Sequence, residues 1–174
     1  MTLHAFHDGG RLVLTEGRVS LREQLPEEAA QLAEGKTAGL TWVDGLPGEG
    51  TVTAASMSVA AAHAGLFRPG WGLFAITHAE EGTAMGGAGF HGPPAHGCVE
   101  IGYDLTDSAR GAGWATDAAR ILCRWALAQP EVVTVLAATE PDNRASQAVL
   151  GRVGFLRVAD RGGLCAYELT ELPD

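Results

Sequence analysis

The sequence predicts a single α/β domain built around a mixed β-sheet, and three observations support this fold class. Segments with strand and helix patterns follow one another in the order strand, two helices, three strands, helix, strand, helix, two strands. The chain has 174 residues, of which 46% are hydrophobic, which is enough for one domain with a substantial core. No internal repeat divides it. We therefore expect residues 1–174 to form one domain.

The first half of the chain contains one predicted strand, two helices and a hairpin. Pro26 is typical of a helix start, and acidic residues follow it in the first turn. Alanine and methionine content indicates a second helix, which ends at Gly65. The short turn AEEG joins two strand-like runs with hairpin spacing. The predicted segments are RLVL (11–14), PEEAAQLAEG (26–35), TVTAASMSVAAAHAG (51–65), WGLFAITH (71–78) and TAMGGAGF (83–90).

The run CVEIGYDL (98–105) alternates in hydrophobicity and predicts a strand with Glu100 in its middle. Its residues divide between two faces, with Val99, Ile101, Tyr103 and Leu105 on one and Cys98, Glu100, Gly102 and Asp104 on the other. Before it, the loop HGPPAHG contains two adjacent prolines that exclude regular structure. The carboxylate of Glu100 is therefore expected on the face opposite to the apolar residues.

Two more helices and three more strands follow. A helix is predicted from about Gly113 to Gln129, where Pro130 prevents its continuation. Asn143 occupies the N-cap position of the next helix, and Gly154 ends that helix. The core stripe of the first of these helices is Ala115, Ala119, Leu122 and Ala126. The predicted strands are VVTVLAAT (132–139), Phe155–Val158 and Cys165–Leu169.

Composition excludes several classes of function. The net charge of −9 and the pI near 5.0 argue against nucleic acid as a partner, because phosphate binding needs a basic surface. An acidic surface suits cationic partners, or it serves only to keep the protein in solution. No apolar run has the length of a membrane span, and the first residues lack the pattern of a secretory signal, so a cytoplasmic location is expected.

The three cysteines predict neither a disulfide framework nor a metal site. Cys98, Cys123 and Cys165 lie far apart in the sequence, without a CxxC pair. We interpret them as small apolar residues and expect no bound metal.

The segment RGAGWATDAARIL (110–122) places two glycines directly before an alanine-rich helix, and this pattern indicates an anion site. A Walker A loop is excluded because Lys36 is the only lysine of the chain. The dinucleotide pattern GxGxxG fits Gly111 and Gly113, but Thr116 stands at the third glycine position. A third interpretation is a pyrophosphate held by the main-chain N–H groups of residues 111–116 at the helix start. The alternative for these glycines is a plain turn.

Two motifs in this region resemble the GNAT superfamily of acetyl-CoA-dependent N-acetyltransferases, and its branch similar to the enzymes that acetylate the N-termini of ribosomal proteins. The segments VEIGYDLTDSARGAGWATDAARIL and ATEPDNRASQAVLGRVGF carry the resemblance, with GGAGFHGPP upstream. The resemblance covers roughly residues 83–158. The first signature, (Gln/Arg)-x-x-Gly-x-(Gly/Ala), matches Arg110, Gly113 and Ala115. The second, Asn-x-x-Ser-x-x-x-Leu-x-x-x-Gly-Phe, matches Asn143, Ser146, Leu150, Gly154 and Phe155.

The resemblance implies a sheet flanked by helices whose two middle strands splay apart to leave a cleft for the pantetheine arm of acetyl-CoA, the cosubstrate. The arm would bond the free edge of residues 101–105 as a pseudo-strand, and the pyrophosphate would meet the helix N-terminus. The residues expected to bind acetyl-CoA are Ile101, Tyr103, Leu105, Arg110, Gly111, Ala112, Gly113, Trp114, Ala115, Thr116, Asn143 and Ser146. Trp114 is expected to pack near the cosubstrate or to cover it.

Transfer of an acetyl group to an amine needs a base, an oxyanion donor and a route for the thiolate to leave. Glu100 is the candidate base, directly or through water, with a pKa raised by partial burial; the alternative is a structural carboxylate bonded to a neighbouring strand or loop. The candidate oxyanion donor is a main-chain N–H near Ile101. Asn143 and Ser146 are placed to contact the pantetheine or the leaving sulfur, and Asn143 also serves as a helix cap.

Other side chains are candidates with weaker support. Many superfamily members carry a tyrosine acid where this chain has Leu150, so return of a proton to the thiolate falls to Ser146, to water, or to no specific group. His91 and His96 flank the loop beside the Glu100 strand and are candidates for the acceptor site, although exposed loop histidines are common. Trp42 and Trp71 either line an acceptor pocket or belong to the core.

These observations together predict an N-acetyltransferase that works by direct attack of a primary amine, since no cysteine has an evident histidine partner. The expected acceptor is a protein or peptide α-amine. The alternatives are a small amine (an aminoglycoside, a polyamine or an amino acid) or a non-catalytic acyl-CoA-binding module. A nicotinamide-dependent oxidoreductase is a weaker rival. The apolar content of the first half permits a homodimer.

Overall fold

A computed structural model describes residues 1–173 of the chain as nine strands, four α-helices and one 3₁₀ turn. The strands are β1 (His4–Asp8), β2 (Arg11–Glu16), β3 (Val19–Glu23), β4 (Leu73–His78), β5 (Ala84–Phe90), β6 (Cys98–Leu105), β7 (Thr134–Thr139), β8 (Leu156–Arg161) and β9 (Leu164–Leu169). The helices are α1 (Pro26–Ala33), α2 (Glu49–His63), α3 (Trp114–Leu127) and α4 (Arg144–Val153). The 3₁₀ turn is Asp107–Ala109.

The strands form one mixed sheet in the order β1-β2-β3-β4-β5-β6-β7-β9-β8. All neighbouring pairs are antiparallel except β6 and β7, which run parallel. This parallel ladder joins only Cys98 with Thr134, Val99 with Val135 and Glu100 with Leu136. Beyond Glu100, β6 continues for five more residues without a partner on that side. The predicted splaying of the two middle strands is therefore confirmed.

Helices cover both faces of the sheet. The aromatic and aliphatic side chains of one face, such as Phe74 and Met85, pack with α3 in the larger core cluster. The opposite face contributes Leu73 and Ala84 to a smaller cluster with Leu32 of α1 and Ala55 of α2. The predicted core stripe of α3 is confirmed, since all four of its residues are buried. The mixed α/β class and the flanking helices thus agree with the sequence prediction.

Two strands, β1 and β3, were not predicted. All five residues of β1 are exposed, so this edge strand has no buried face to produce a hydrophobic alternation. In β3 the alternating buried residues are Val19, Leu21 and Glu23, and the carboxylate at the third position hides the pattern. Both strands form by pairing with neighbours, which local sequence does not show.

Glu23 is buried, and its carboxylate links β3 to two other segments through hydrogen bonds. It is 1% exposed, and Oε1 accepts the N–H of Leu12 at 2.9 Å while Oε2 accepts the N–H of Gly70. Gly70 belongs to the connection of residues 64–72, which leads from α2 into the sheet. A second tie on this connection is the ion pair of Arg68 with Glu131, at 2.6 and 2.7 Å. The connection is therefore held against the domain at two points.

No helix of residues 1–173 is long and apolar enough to cross a bilayer. Each of the three cysteines is a free thiol, and Cys123 and Cys165 are buried. Within the same residues, no group of three or more histidine, cysteine, aspartate or glutamate side chains is arranged to hold a metal ion.

Candidate active site

A groove opens where β6 and β7 separate. The C=O of Glu100 accepts the N–H of His91 from the β5 side, so the main-chain groups of alternate residues, Ile101, Tyr103 and Leu105, face the β7 side. Ile101 follows immediately on the last paired residue, and Tyr103 lies two residues beyond it. The C=O of Leu105 accepts a bond from Nε of Arg110 at 3.3 Å. A free main-chain edge therefore begins at about Tyr103.

At one end of this groove, six consecutive N–H groups, those of residues 111–116, have no acceptor among residues 1–173. Gly111 and Gly113 adopt the left-handed region with φ of +83° and +85°, which glycine reaches without strain. Gly113 is the N-cap of α3 and supplies no capping side chain. The first turn of α3 thus presents free donors and the positive end of its dipole to the groove, as an anion site requires.

Arg18 braces this turn from outside. Its Nη2 donates to the C=O of Ala112 at 2.6 Å, and its Nε donates to Oδ2 of Asp117 at 2.8 Å. The guanidinium also stacks on Trp114, 3.8 Å from the ring centre, and His78 packs on the same ring. Trp114 therefore contacts Arg18 and His78 and does not line the groove. Its side chain is not placed to cover a ligand there, so only its N–H faces the anion site.

The groove has a volume of about 530 Å³. The residues that line it are Tyr103, Asp104, Leu105, Arg110, Gly111, Gly113, Ala115, Thr116, Asp117, Asn143, Ala145, Ser146, Val149 and Arg152. Most of the residues expected to bind acetyl-CoA are among them. Ile101 and Ala112 are not, because Ile101 is buried to 2% exposure and Ala112 has its C=O turned to Arg18.

Ser146 of α4 contacts the tyrosine of β6 in this groove, and Asn143 caps the same helix. Oδ1 of Asn143 accepts the N–H of Ser146 at 3.1 Å, so Asn143 is the helix cap that was predicted. The hydroxyl of Tyr103 lies 2.9 Å from Oγ of Ser146 and 3.2 Å from its C=O. Burial raises the pKa of Tyr103 to about 12, so its hydroxyl keeps its proton at neutral pH. The sequence offered no signal for this pair of hydroxyls.

A second cavity of about 620 Å³ lies on the other side of β6, between the sheet and α2. Its walls come from α2, the connection 64–72 and the strands β5 and β6. Tyr103 and Asp104 line both the groove and this cavity. The two spaces therefore meet at the C-terminal half of β6, beside the point where the ladder to β7 ends.

His91 and Glu100 form a pair at the edge of this second cavity. Nδ1 of His91 lies 3.1 Å from Oε2 of Glu100. A carboxylate can only accept, so Nδ1 carries the proton and Nε2 is left free. The ring lies directly over Gly102, where an added Cβ would be 2.7 Å from Nε2. His91 lines the cavity, whereas Glu100 lines neither the cavity nor the groove.

The expectation of a raised pKa for Glu100 is wrong. The hydrogen bond from His91 lowers the pKa of this carboxyl and outweighs the burial that raises it. The charge of Arg161 lowers the pKa further. Nη2 of Arg161 lies 3.8 Å from the second carboxylate oxygen. Glu100 is therefore a carboxylate paired with His91 and Arg161, and its part in catalysis stays a prediction.

The remaining candidates have separate places. His96 is exposed in the loop before β6, with φ of +53°, and does not line the cavity. Trp71 lines the cavity and also packs against Phe90 and Trp125, so it belongs to both pocket and core. Trp42 is buried in the smaller core cluster and donates Nε1–H to the C=O of Thr37. Of the two tryptophans considered, only Trp71 borders the second cavity.

Comparison with known proteins places this architecture among acetyltransferases. The family model described as an acetyltransferase (GNAT) domain matches residues 18–156. YjdG of Bacillus subtilis (strain 168), described as an uncharacterized N-acetyltransferase, is 35% identical over 88 residues, 50% of this chain and 52% of that protein. The match thus spans about half the length of this curated relative.

Solved structures share the fold over nearly the whole chain. An acetyltransferase from Agrobacterium tumefaciens str. C58 superposes with a TM-score of 0.64 at 26% identity, covering 91% of this chain and 94% of that one. RimJ of Mycobacterium smegmatis, solved with a CoA-disulfide, superposes with a TM-score of 0.60 at 19% identity, covering 97% and 86%. At the latter identity the likeness concerns the fold alone.

Proposed function

The chain belongs to the acetyltransferase (GNAT) domain family, and on that premise we propose that it transfers an acetyl group from acetyl-CoA to a primary amine. One observation carries the proposal: a groove with an uncapped anion-binding turn and a separate cavity with a free histidine nitrogen meet at Tyr103 and Asp104. Such a layout lets two substrates enter from opposite sides of one strand and react where they meet.

The residues of the groove fit the chemistry of coenzyme A. The free N–H groups of residues 111–116 suit a pyrophosphate, and Arg110 and Arg152 add positive charge beside them. The unpaired main-chain edge at Tyr103 suits the amide groups of an extended pantetheine arm. Asn143 and Ser146 border the same space from α4. A plain turn or a nicotinamide site would not need an open strand edge next to the phosphate donors.

His91 is the base in this mechanism, and Glu100 positions it. Nε2 of His91 accepts a proton from the ammonium form of the acceptor, which leaves a neutral amine that can attack. The Glu100 carboxylate holds the ring through Nδ1–H and stabilises the imidazolium that forms. The amine nitrogen then forms the C–N bond to the acetyl carbon, and the C–S bond of the thioester breaks. Glu100 thus acts through His91 and not as a direct base.

The thiolate side of the reaction is served by the groove. We place the oxyanion on a main-chain N–H of β6, where Tyr103 lies farther beyond the ladder than Ile101. The hydroxyls of Tyr103 and Ser146, 2.9 Å apart, are available to donate to the departing sulfur. Because Leu150 occupies the position of the usual tyrosine acid and is 1% exposed, it supplies no proton.

For the acceptor we propose a protein or peptide α-amine, with a small amine as the alternative. The motif resemblance to the branch that modifies ribosomal proteins supports the first choice. The second cavity supports either, because it is open at one side and large enough for a single residue or a small molecule.

The test has a binding part and a turnover part. Calorimetric titration with CoA and with NAD should show binding of CoA alone, and thiol release from acetyl-CoA should rise with an added amine. His91→Asn should lower kcat by about 100- to 10,000-fold without changing CoA affinity, the usual range for a general base. The matched control is His96→Asn, in the same loop but outside the cavity. CoA binding without turnover of any amine would support the non-catalytic module instead.

A further inference from the structure

The second cavity bears on which amine the enzyme accepts, an inference that rests on the proposed transferase function. Its floor is bare main chain, because glycines stand where side chains would collide with neighbours. A Cβ at Gly89 would lie 2.3 Å from the C=O of Gly72, and one at Gly87 would lie 3.0 Å from Oγ1 of Thr51. These glycines let neighbouring groups approach β5 closely, and we call the cavity beside them, under α2, the slot.

The walls of the slot are apolar. Helix α2 contributes Met57 and Ala61, and the connection 64–72 contributes Leu66, Phe67 and Trp71. Met57 and Leu66 are 55% and 65% exposed, which leaves large apolar side chains in contact with water at the mouth. Exposed apolar side chains grouped around a cavity mark a surface that an apolar ligand covers.

Besides His91, the charged side chains that line the slot are Arg68 and Asp104. Arg68 forms its two-pronged ion pair with Glu131. Asp104 lies against the first turn of α2, where the N–H groups of Gly50 and Thr51 and the charge of Arg110 partly offset the burial that raises its pKa. Asp104 is therefore the one carboxylate among the lining residues that the structure describes, so the slot offers at most one site for a second cation of the acceptor.

One buried polar atom faces the floor without a partner. Oγ1 of Thr51, in a residue 1% exposed, makes no hydrogen bond, and it is the atom that approaches Gly87 most closely. This atom has almost no exposed surface, so it offers no hydrogen-bonding contact to a ligand in the slot. The contacts that α2 and the connection 64–72 offer in the slot are thus mainly apolar.

We infer that the acceptor is a primary amine on a carbon that bears a large apolar group, such as an aromatic ring or a branched alkyl chain. The amine lies at His91 and the apolar group fills the slot between α2 and β5. This chemistry has two sources, the first residue of a peptide and a free arylalkylamine. Polyamines and aminoglycosides carry several cationic amines, and a lining with one carboxylate does not match them.

The experiment compares matched amines on the wild-type enzyme. Peptide amides that begin with Phe, Ala or Glu and are otherwise identical form one arm, and 2-phenylethylamine with putrescine forms the other. Because burial of a phenyl side chain favours binding by about 10- to 100-fold, kcat/KM should be higher by that factor for the Phe peptide than for the Ala peptide. The class of amine with the higher kcat/KM, peptide or free arylalkylamine, identifies the natural form of the acceptor.

Two variants of α2 locate the effect. Ala61→Phe fills the slot and should abolish the preference for the apolar amine, whereas Ala60→Phe, on the exposed side of the same helix, should leave it unchanged. Urea unfolding and CoA titration of both variants verify that the fold and the groove are intact.

The outcomes separate this inference from the proposed function. Equal or better use of the Glu peptide or of putrescine would overturn the inference while the transferase function stands. Calorimetric binding of 2-phenylethylamine that Ala61→Phe removes, in the absence of any turnover, would support the slot and overturn the function. Loss of the preference in Ala60→Phe as well would also overturn the assignment to this slot.

Discussion

Replacing Gly102 by alanine should move the His91 ring without removing any group from it. An ideal Cβ at position 102 lies 2.7 Å from Nε2 of His91 and 3.4 Å from its Cε1. Normal contact between such atoms is about 3.5 Å, so the ring has to retreat by about 0.8 Å. Since a misplacement of about 1 Å costs about 100-fold in rate, kcat/KM should fall by about 30- to 100-fold.

Stability should hardly change in this variant. Gly102 is not in the left-handed region, so alanine fits its backbone and stabilises the fold by about 0.4–1 kcal/mol through the unfolded chain. Loosening of the His91–Glu100 pair, which is partly exposed, costs about 0–1 kcal/mol. The two terms nearly cancel, and we expect a net change below about 1 kcal/mol in urea unfolding.

The assay is thiol release from acetyl-CoA, with Gly151→Ala as the matched control. Gly151 lies in α4, and an added Cβ there meets no atom within 4 Å. This control should keep full activity. Full activity of Gly102→Ala as well would refute the role of His91. In a His91→Asn background, Gly102→Ala should cause no further loss, and a second large drop would show that the glycine acts through another group.

Three further predictions follow from the buried and paired groups. Glu23→Gln should lower the free energy of unfolding in urea by about 1–3 kcal/mol, because one of the two buried N–H groups then faces the NH2 donor of the glutamine. Glu27→Gln, at an exposed position, is the control, and equal stability of the two variants would contradict the reasoning. Arg18→Ala should weaken CoA binding in calorimetry, because the turn before α3 loses its hydrogen bonds to the Arg18 guanidinium. Unchanged affinity would show that the turn keeps its conformation without Arg18. The lowered pKa of Glu100 means that its pairing stabilises the fold above the ordinary value of 4.5 and is lost as pH falls through the folded pKa. Wild type and Glu100→Gln should therefore differ in urea stability at pH 7 and converge in acid, and a difference that grows in acid would contradict the assignment.

The parts of the fold that local pattern encodes were predictable. Pro26, Asn143 and Gly154 mark helix ends through their own backbone preferences, and the structure places helix ends at or next to each of them. β1 was not predictable, because its residues are exposed and acquire strand conformation only from β2. In the same way, the buried carboxylate of Glu23 makes sense only with its partners Leu12 and Gly70 present.

The site was predictable to the extent that it lies within motifs. The donors of the turn before α3 and the cap of α4 follow from short segments with glycine and asparagine at fixed spacing. The pair of His91 and Glu100 is nine residues apart, and their contact depends on how β5 and β6 pair, so the carboxylate's environment was misjudged. The apolar slot depends on three separate segments that meet only in the folded chain.

The short ladder between β6 and β7 has a consequence for protection of the protein's amides. With three residue pairs joining the two halves of the sheet, the amide hydrogens of Tyr103 and Leu105 on the open edge should exchange with solvent early. A ligand that forms hydrogen bonds with this edge as an extra strand would fill the gap between β6 and β7 and slow the exchange of these amide hydrogens. At a ligand concentration of 100 times Kd it would also add about 2.7 kcal/mol to the stability of the whole domain. The gap proposed to admit the substrate would thus also be the place where the substrate adds a strand to the sheet.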